Sequence, residues 1–291
     1  MEGADYPLLL TPHLAERIWG GRRLGHHIGE AWDLSVHPGG PSTIRNGPLA
    51  NTTLGDAAQA RPEDFGGPIR LLAKRLDCAH DLSVQVHPKR GDPKTECWVV
   101  LDVRRGAGVY LGFDETQDQE TIRAAARDGS LPHLLRFFPL EKGACVFVPS
   151  GTVHAIGGGL FLFELQQSSD TTYRLFDWGR GRRLHLEKGI ACADTGPAPP
   201  PPEPRSLDAG RTRLVDCEHF YVDRVGTDER FSLDPGGTWT AALIVAGRIR
   251  MEDTAAEAGD TLLLPRAAGR RDADPEGLCE VLVYGPTRSN G

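Results

Sequence analysis

The chain has 291 residues, 39% hydrophobic and 25% charged, a balance that suits a globular protein with one large or two smaller cores. Its formal net charge of -7 argues against nucleic acid or an anionic membrane as the main partner, so any anionic ligand must be drawn by local cations. No run approaches the roughly 18 apolar residues of a membrane span and no signal-type apolar core follows the start, which points to the cytoplasm.

Short strand-like runs between Gly, Pro and Asp turns predict an all-β fold of antiparallel strands, a jelly roll or barrel. The apolar run Leu71 to Leu76 carries Lys74, which reads as a sheet-edge charge or a cleft lysine. Leu82-Ser83-Val84-Gln85-Val86-His87-Pro88 and Lys94-Thr95-Glu96-Cys97-Trp98 read as two strands of a β-hairpin. Alternation places Ser83, Gln85 and His87 on one face, and Lys94 with Glu96 on one face of the returning strand, while Val84 and Val86 turn toward a core. A helix is expected over Thr116 to Asp128, ending near Gly129. An apolar strand over Ala144 to Val148 ends at the turn signal Pro149-Ser150-Gly151, and the strand after it carries His154. The stretch Leu160 to Gln167 places Glu164 and Gln166 on one face, and the loop beyond it leads to Arg174. A second helical piece follows His185-Leu186-Glu187, and the prolines of 197–204 form a stiff, extended linker. Beyond it, strands at Phe220 to Val225, Trp239 to Val245 and Gly247 to Met251 make a smaller β unit.

Gln85, His87, Glu96 and His154 together offer two imidazoles, a carboxylate and an amide oxygen. This donor set suits zinc, with a position left open for water or substrate. The plain alternative is a solvated sheet face with a chance histidine. His37, in Ser35-Val36-His37-Pro38, echoes His87 but has no partner ligand at useful spacing and reads as a packed histidine. Cys78, Cys97, Cys145, Cys192, Cys217 and Cys279 form no CxxC pair and read as small apolar residues in a reducing compartment.

At these residues the chain resembles the cupin-type mannose-6-phosphate isomerases in their short bacterial form. The resemblance runs from Pro7-Leu8 and Ile18-Trp19-Gly20-Gly21 through Glu30 to Trp32, Ser35 to Pro38, Asn46 to Pro48, Ser83 to Pro88, Lys94-Thr95-Glu96, Val148 to Gly157 and Gln166 to Arg174, about the first 190 residues. It implies one zinc ion per chain on Gln85, His87, Glu96 and His154, with Arg174 as the catalytic arginine and Ser83 and Lys94 holding the substrate phosphate. Lys74 matches a lysine common in the family, and Glu164 and Asp170 resemble positions close to the sugar. Glu164 is the favoured acid or base, against an ion pair with Arg174 that orients the guanidinium. For Asp170, a turn-forming aspartate in Ser168-Ser169-Asp170-Thr171-Thr172 is the competing reading.

Ala258 to Pro265 parallels Glu141 to Pro149, a weak internal repeat that is not followed by a counterpart of His154. The expected organisation is therefore two cupin-like halves: a metal-binding domain over 1–196 with a helical insertion at about 116–135, a linker over 197–204, and a ligand-free domain over 205–291 serving as support, lid or homodimer surface. One departure from the family is that only eight residues separate His87 from Glu96, where relatives carry a longer loop, and this trims one wall of the substrate pocket.

The resemblance implies interconversion of mannose 6-phosphate and fructose 6-phosphate through an enediol. An isomerase of another sugar, an iron-dependent oxygenase and a non-catalytic sugar-binding cupin are the rival readings.

Overall fold

The computed structural model of the protein describes residues 3–200, 202–208 and 210–287. The architecture is all-β: antiparallel strands in four sheets, with short helices between them. The chain forms two compact units, one of Leu14–Ala31 and Lys74–Pro201, the other of Met1–His13, Trp32–Ala73 and Pro202–Gly291.

In the first unit, a five-stranded sheet runs in the order Tyr173–Phe176, Val84–Val86, His154–Ile156, Gly108–Phe113 and Leu135–Pro139. A six-stranded sheet begins with Cys145–Val148, Glu96–Val103 and Leu160–Gln167, followed by Leu71–Cys78, Ile28–Leu34 and His13–Glu16. The two sheets pack face to face, since Trp98, Val100 and Leu162 of one share a buried cluster with Val109, Leu111 and Ile156 of the other. Burial of such large apolar side chains is worth roughly 1.5–3 kcal/mol each, the main term holding the sandwich together.

The other face of the five-stranded sheet is covered by helices. Val84, Val86, Ala155 and Leu175 pack there against Ile122, Ala125 and Ala126 of helix Gln119–Asp128 and Ile190 of helix Leu186–Cys192. Because strand side chains alternate, turning these residues toward the helices sends Gln85, His154 and Arg174 to the opposite face, toward the interior of the sandwich. The first helix starts three residues later than the expected Thr116, because the Asp118 carboxylate accepts from the Thr121 N–H and caps it there. It stops at Gly129, whose φ of 88° suits the left-handed cap.

The expected hairpin does not form. Val84–Val86 is paired on one side with His154–Ile156 and on the other with Tyr173–Phe176, whereas Glu96–Val103 lies between Cys145–Val148 and Leu160–Gln167. The connection between them carries Pro88 and Pro93, which supply no ladder donors, and it passes from one sheet to the other.

The second unit has its own core. Leu9, Ile249, Met251, Leu262, Leu264 and Val281 are buried together there. Its eight-stranded sheet includes Leu8–Thr11, hydrogen-bonded to Thr261–Pro265 with Leu8 opposite Leu263. His37 sits in this unit, where its Nδ1 accepts from the Gly39 N–H and its ring packs on Trp32.

Candidate metal centre

Cross-strand register assembles the centre. Gln85 is directly opposite His154 on one neighbour and Arg174 on the other, so these three side chains form one row. On the facing sheet Glu96 is opposite Gln166, and Trp98 is opposite Glu164. The two rows meet across the interior: His154 Nε2 lies 3.2 Å from Glu96 Oε1, and His87 Nε2 lies 3.6 Å from Glu96 Oε2. One ligand atom from each of His87, Glu96 and His154 lies within 4.8 Å of the others, and all three residues are buried. The turn after Val148 helps to position them, because the Gly151 N–H donates to the His87 carbonyl at 2.9 Å, with Gly151 at a φ of 93° that favours glycine.

The protonation pattern follows from the partners. His87 Nδ1 lies 2.9 Å from the Thr171 carbonyl and His154 Nδ1 2.9 Å from the Thr152 carbonyl. A carbonyl only accepts, so each Nδ1 carries a proton; Lys94 Nζ near His87 Nε2 and the Gln85 amide nitrogen near His154 Nε2 can only donate, so each Nε2 presents a lone pair on the Glu96 side. Burial pulls the His154 imidazole down to about 4, which keeps it neutral at pH 7. Burial pushes the Glu96 carboxyl up, but the Lys94 ammonium, joined by the imidazoles when they are protonated, outweighs it and holds it well below the carboxylate range. Two lone pairs and an ionised carboxylate aimed at one point repel one another unless a cation stands among them.

Here the nearest positive charge is Lys94, whose Nζ is 2.8 Å from Glu96 Oε2 and 3.4 Å from His87 Nε2. Burial pulls this ammonium down, but Glu96 and Glu164 overcome that and raise it. Neither Glu96 oxygen has a hydrogen-bond partner of good geometry, so the carboxylate keeps acceptor capacity for a metal. The residues present therefore fit a divalent cation with N and O donors.

Around this cluster runs a polar chain. Arg174 Nε donates to Ser83 Oγ at 3.2 Å, Ser83 Oγ donates to Gln85 Oε1 at 3.2 Å, and Gln85 Nε2 lies 3.3 Å from His154 Nε2. Glu164 is buried, accepts from Trp98 Nε1 at 3.1 Å and pairs with Lys74 Nζ at 3.3 Å. Its ion-pair partner is thus Lys74 and not Arg174. Asp170 is exposed, on the loop between Leu160–Gln167 and Tyr173–Phe176.

Gln166 drew no role from the sequence beyond sharing a face with Glu164. Its amide nitrogen donates to the carbonyls of Gln167 and Ser169, which leaves its buried Oε1 without a donor on the strand neighbouring Glu96. A cavity of about 800 Å³ in the other unit, lined by Arg211, Arg213 and Tyr221, holds none of these residues, and both arginines pair with the buried Asp223.

Residues 10–102 match the family model described as phosphomannose isomerase type I, catalytic domain. A probable mannose-6-phosphate isomerase of Bacillus subtilis is 33% identical over 316 residues, covering 97% of this chain and 99% of its own length. The chain belongs to the mannose-6-phosphate isomerase family. A second family member, from Streptococcus mutans, is 36% identical over 292 residues, 89% of this chain and 92% of its own. The crystal structure of the Bacillus subtilis mannose 6-phosphate isomerase superposes with a TM-score of 0.88 at 29% identity, over 96% of this chain and 99% of that one. A zinc-bound mannose 6-phosphate isomerase shares the fold, with a TM-score of 0.77 at 14% identity, over 97% of this chain and all (100%) of that one. Membership accounts for the two cupin-like β units. Among the described residues, no helix is long and apolar enough to cross a membrane.

Proposed function

We propose that the protein is a zinc-dependent aldose–ketose isomerase that interconverts mannose 6-phosphate and fructose 6-phosphate in the cytoplasm. The observation that carries the metal reading is the convergence of two bare Nε2 lone pairs and an ionised, under-bonded Glu96 on one buried point. His87, Glu96 and His154 would hold the ion with Gln85, through its amide oxygen, as the fourth ligand. In the present arrangement Gln85 turns that oxygen toward Ser83. Ser83 has two lone pairs as well as a proton, so it can partner the amide in either sense. When bound, zinc supplies a Lewis acid beside the substrate oxygens.

The chain's own residues do the rest. Arg174 is half-buried and always charged. It donates to Ser83 Oγ and to the Arg183 carbonyl, so it is held in place by neutral acceptors. Such a guanidinium stabilises the negative charge that grows on oxygen as the C–H bond breaks, the step that leads to an enediol. With Glu96 committed to a metal, Lys94 would be available, with Ser83, to pair with the phosphate. Glu164, oriented by Lys74 and the Trp98 N–H, is the proposed proton carrier, with Lys74 and Asp170 as further substrate contacts.

The test is incubation of the zinc-loaded protein with mannose 6-phosphate in heavy water, followed by NMR. Conversion to fructose 6-phosphate with deuterium at C1 or C2 is expected, and Glu164→Gln should abolish both while still binding substrate. No conversion by zinc-loaded protein would overturn the substrate assignment in favour of another sugar or a binding role.

A further inference from the structure

We infer that Asp92 is a positioning residue for the metal centre, acting on His87 through the backbone of Thr171; the inference rests on the metal reading above. Asp92 lies in the eight-residue connection from His87 to Glu96, the segment that carries this chain across from one sheet to the other. Its Oδ2 accepts from Ser169 Oγ at 2.8 Å and from Thr171 Oγ1 at 2.6 Å, both short, charge-assisted bonds. Ser169 Oγ also lies 3.3 Å from the Asp92 carbonyl and accepts from the Thr171 N–H at 3.2 Å. Thr171 is therefore gripped at its N–H and at its hydroxyl, each time through a group fixed by Asp92.

What this grip fixes is the Thr171 carbonyl. That oxygen accepts from His87 Nδ1 at 2.9 Å and thereby selects the tautomer whose Nε2 faces Glu96 unprotonated. Without the Asp92 carboxylate, two hydroxyls lose their shared acceptor, and the 168–172 loop keeps the longer bond from Ser169 Oγ to the Asp92 carbonyl but loses both charge-assisted ties to the 88–95 connection. The Thr171 carbonyl is then less firmly held as the acceptor for His87 Nδ1–H, and part of the population carries its proton on Nε2, where it cannot ligate. Asp92 itself is exposed and is not among the residues that converge on Glu96, so its influence passes through the loop.

Two measurements on the full-length protein test this: the zinc dissociation constant by competition with a chromogenic chelator, and the His87 tautomer in the zinc-free protein by imidazole nitrogen NMR. Asp92→Ala is expected to weaken zinc binding by about 10- to 100-fold and to turn a single Nδ1–H form of His87 into a mixture. Asp92→Asn, which keeps an acceptor oxygen in place, should restore most of the affinity. An unchanged His87 tautomer in Asp92→Ala overturns the assignment whatever the zinc affinity does. Should that variant fail to fold, Thr171→Val, which removes only the hydroxyl arm, is judged by the same tautomer readout. A wild-type protein that binds no zinc would overturn the metal reading, while the tautomer measurement would still decide the role of Asp92.

Discussion

Arg174 and His154 face the same interior from either side of Gln85, yet burial acts on them differently. Arg174 keeps its charge, lowered somewhat by burial and by the nearby Arg182, whereas His154 is pressed into its neutral form. If Arg174 stabilises transition-state charge, Arg174→Ala should lower kcat by about 100- to 10,000-fold with a smaller change in KM, as measured by steady-state kinetics. Near-normal turnover would remove it from the chemistry. The His154 shift has a stability consequence for the zinc-free protein. Unfolded, the imidazole takes a proton near pH 6.5; folded, it resists protonation down to about 4. Between those values the unfolded chain binds more protons, so stability present above pH 6.5 is lost as pH falls toward 4, by up to about 3 kcal/mol. Urea unfolding at several pH values should show this slope in wild type and a flatter one in His154→Asn.

At the scale of elements, the site depends on strands backed by helices. Val84 and Val86 pack against Ile122, which is fully buried, and this packing turns Gln85 and its neighbours inward. Ile122→Ala should therefore cost about 2–5 kcal/mol of unfolding free energy by denaturant titration. Most of these elements were legible in the sequence. Alternation around Val84 and Val86 gave the inward face, and the helix expected over Thr116 to Asp128 starts three residues late and ends at Gly129. The hairpin between Val86 and Glu96 was misread because a short Gly- and Pro-containing connection looks the same whether it closes a hairpin or spans two sheets. Local spacing records loop length, not which strands compete for each edge. The same limit hid the partner of Glu164: Arg174 is near it in sequence, but Lys74 is the residue that the fold brings to it.

At the scale of the molecule, the chain path does not follow simple halves. Leu8–Thr11 forms ladder bonds with Thr261–Pro265, and Leu8, Leu9 and Leu10 are all buried. A fragment that ends before the prolines of 197–204 would leave this strand without its partner, exposing three leucines and a row of backbone donors and acceptors. Such a fragment should aggregate, or elute as an expanded species in size-exclusion chromatography. A compact, soluble fragment with dispersed NMR signals would show that this pairing is dispensable.

The sequence by itself determined the all-β class, the family and the chemical identity of the donor set, because these depend on residue type and on alternation within single strands. Alternation placed Ser83, Gln85 and His87 on one face, whereas His154 and Arg174 were singled out by motif and resemblance, their facing left to the register of their strands. Only the tertiary structure decided that Glu96 meets the imidazoles across a sandwich, that Thr152 and Thr171 carbonyls set both tautomers, and that Asp92 ties two loops together. Apart from the local bond between Thr152 and His154 and the approach of His87 to Glu96, those contacts join segments far apart in sequence through backbone groups and loop side chains, which leave no periodic mark along the chain.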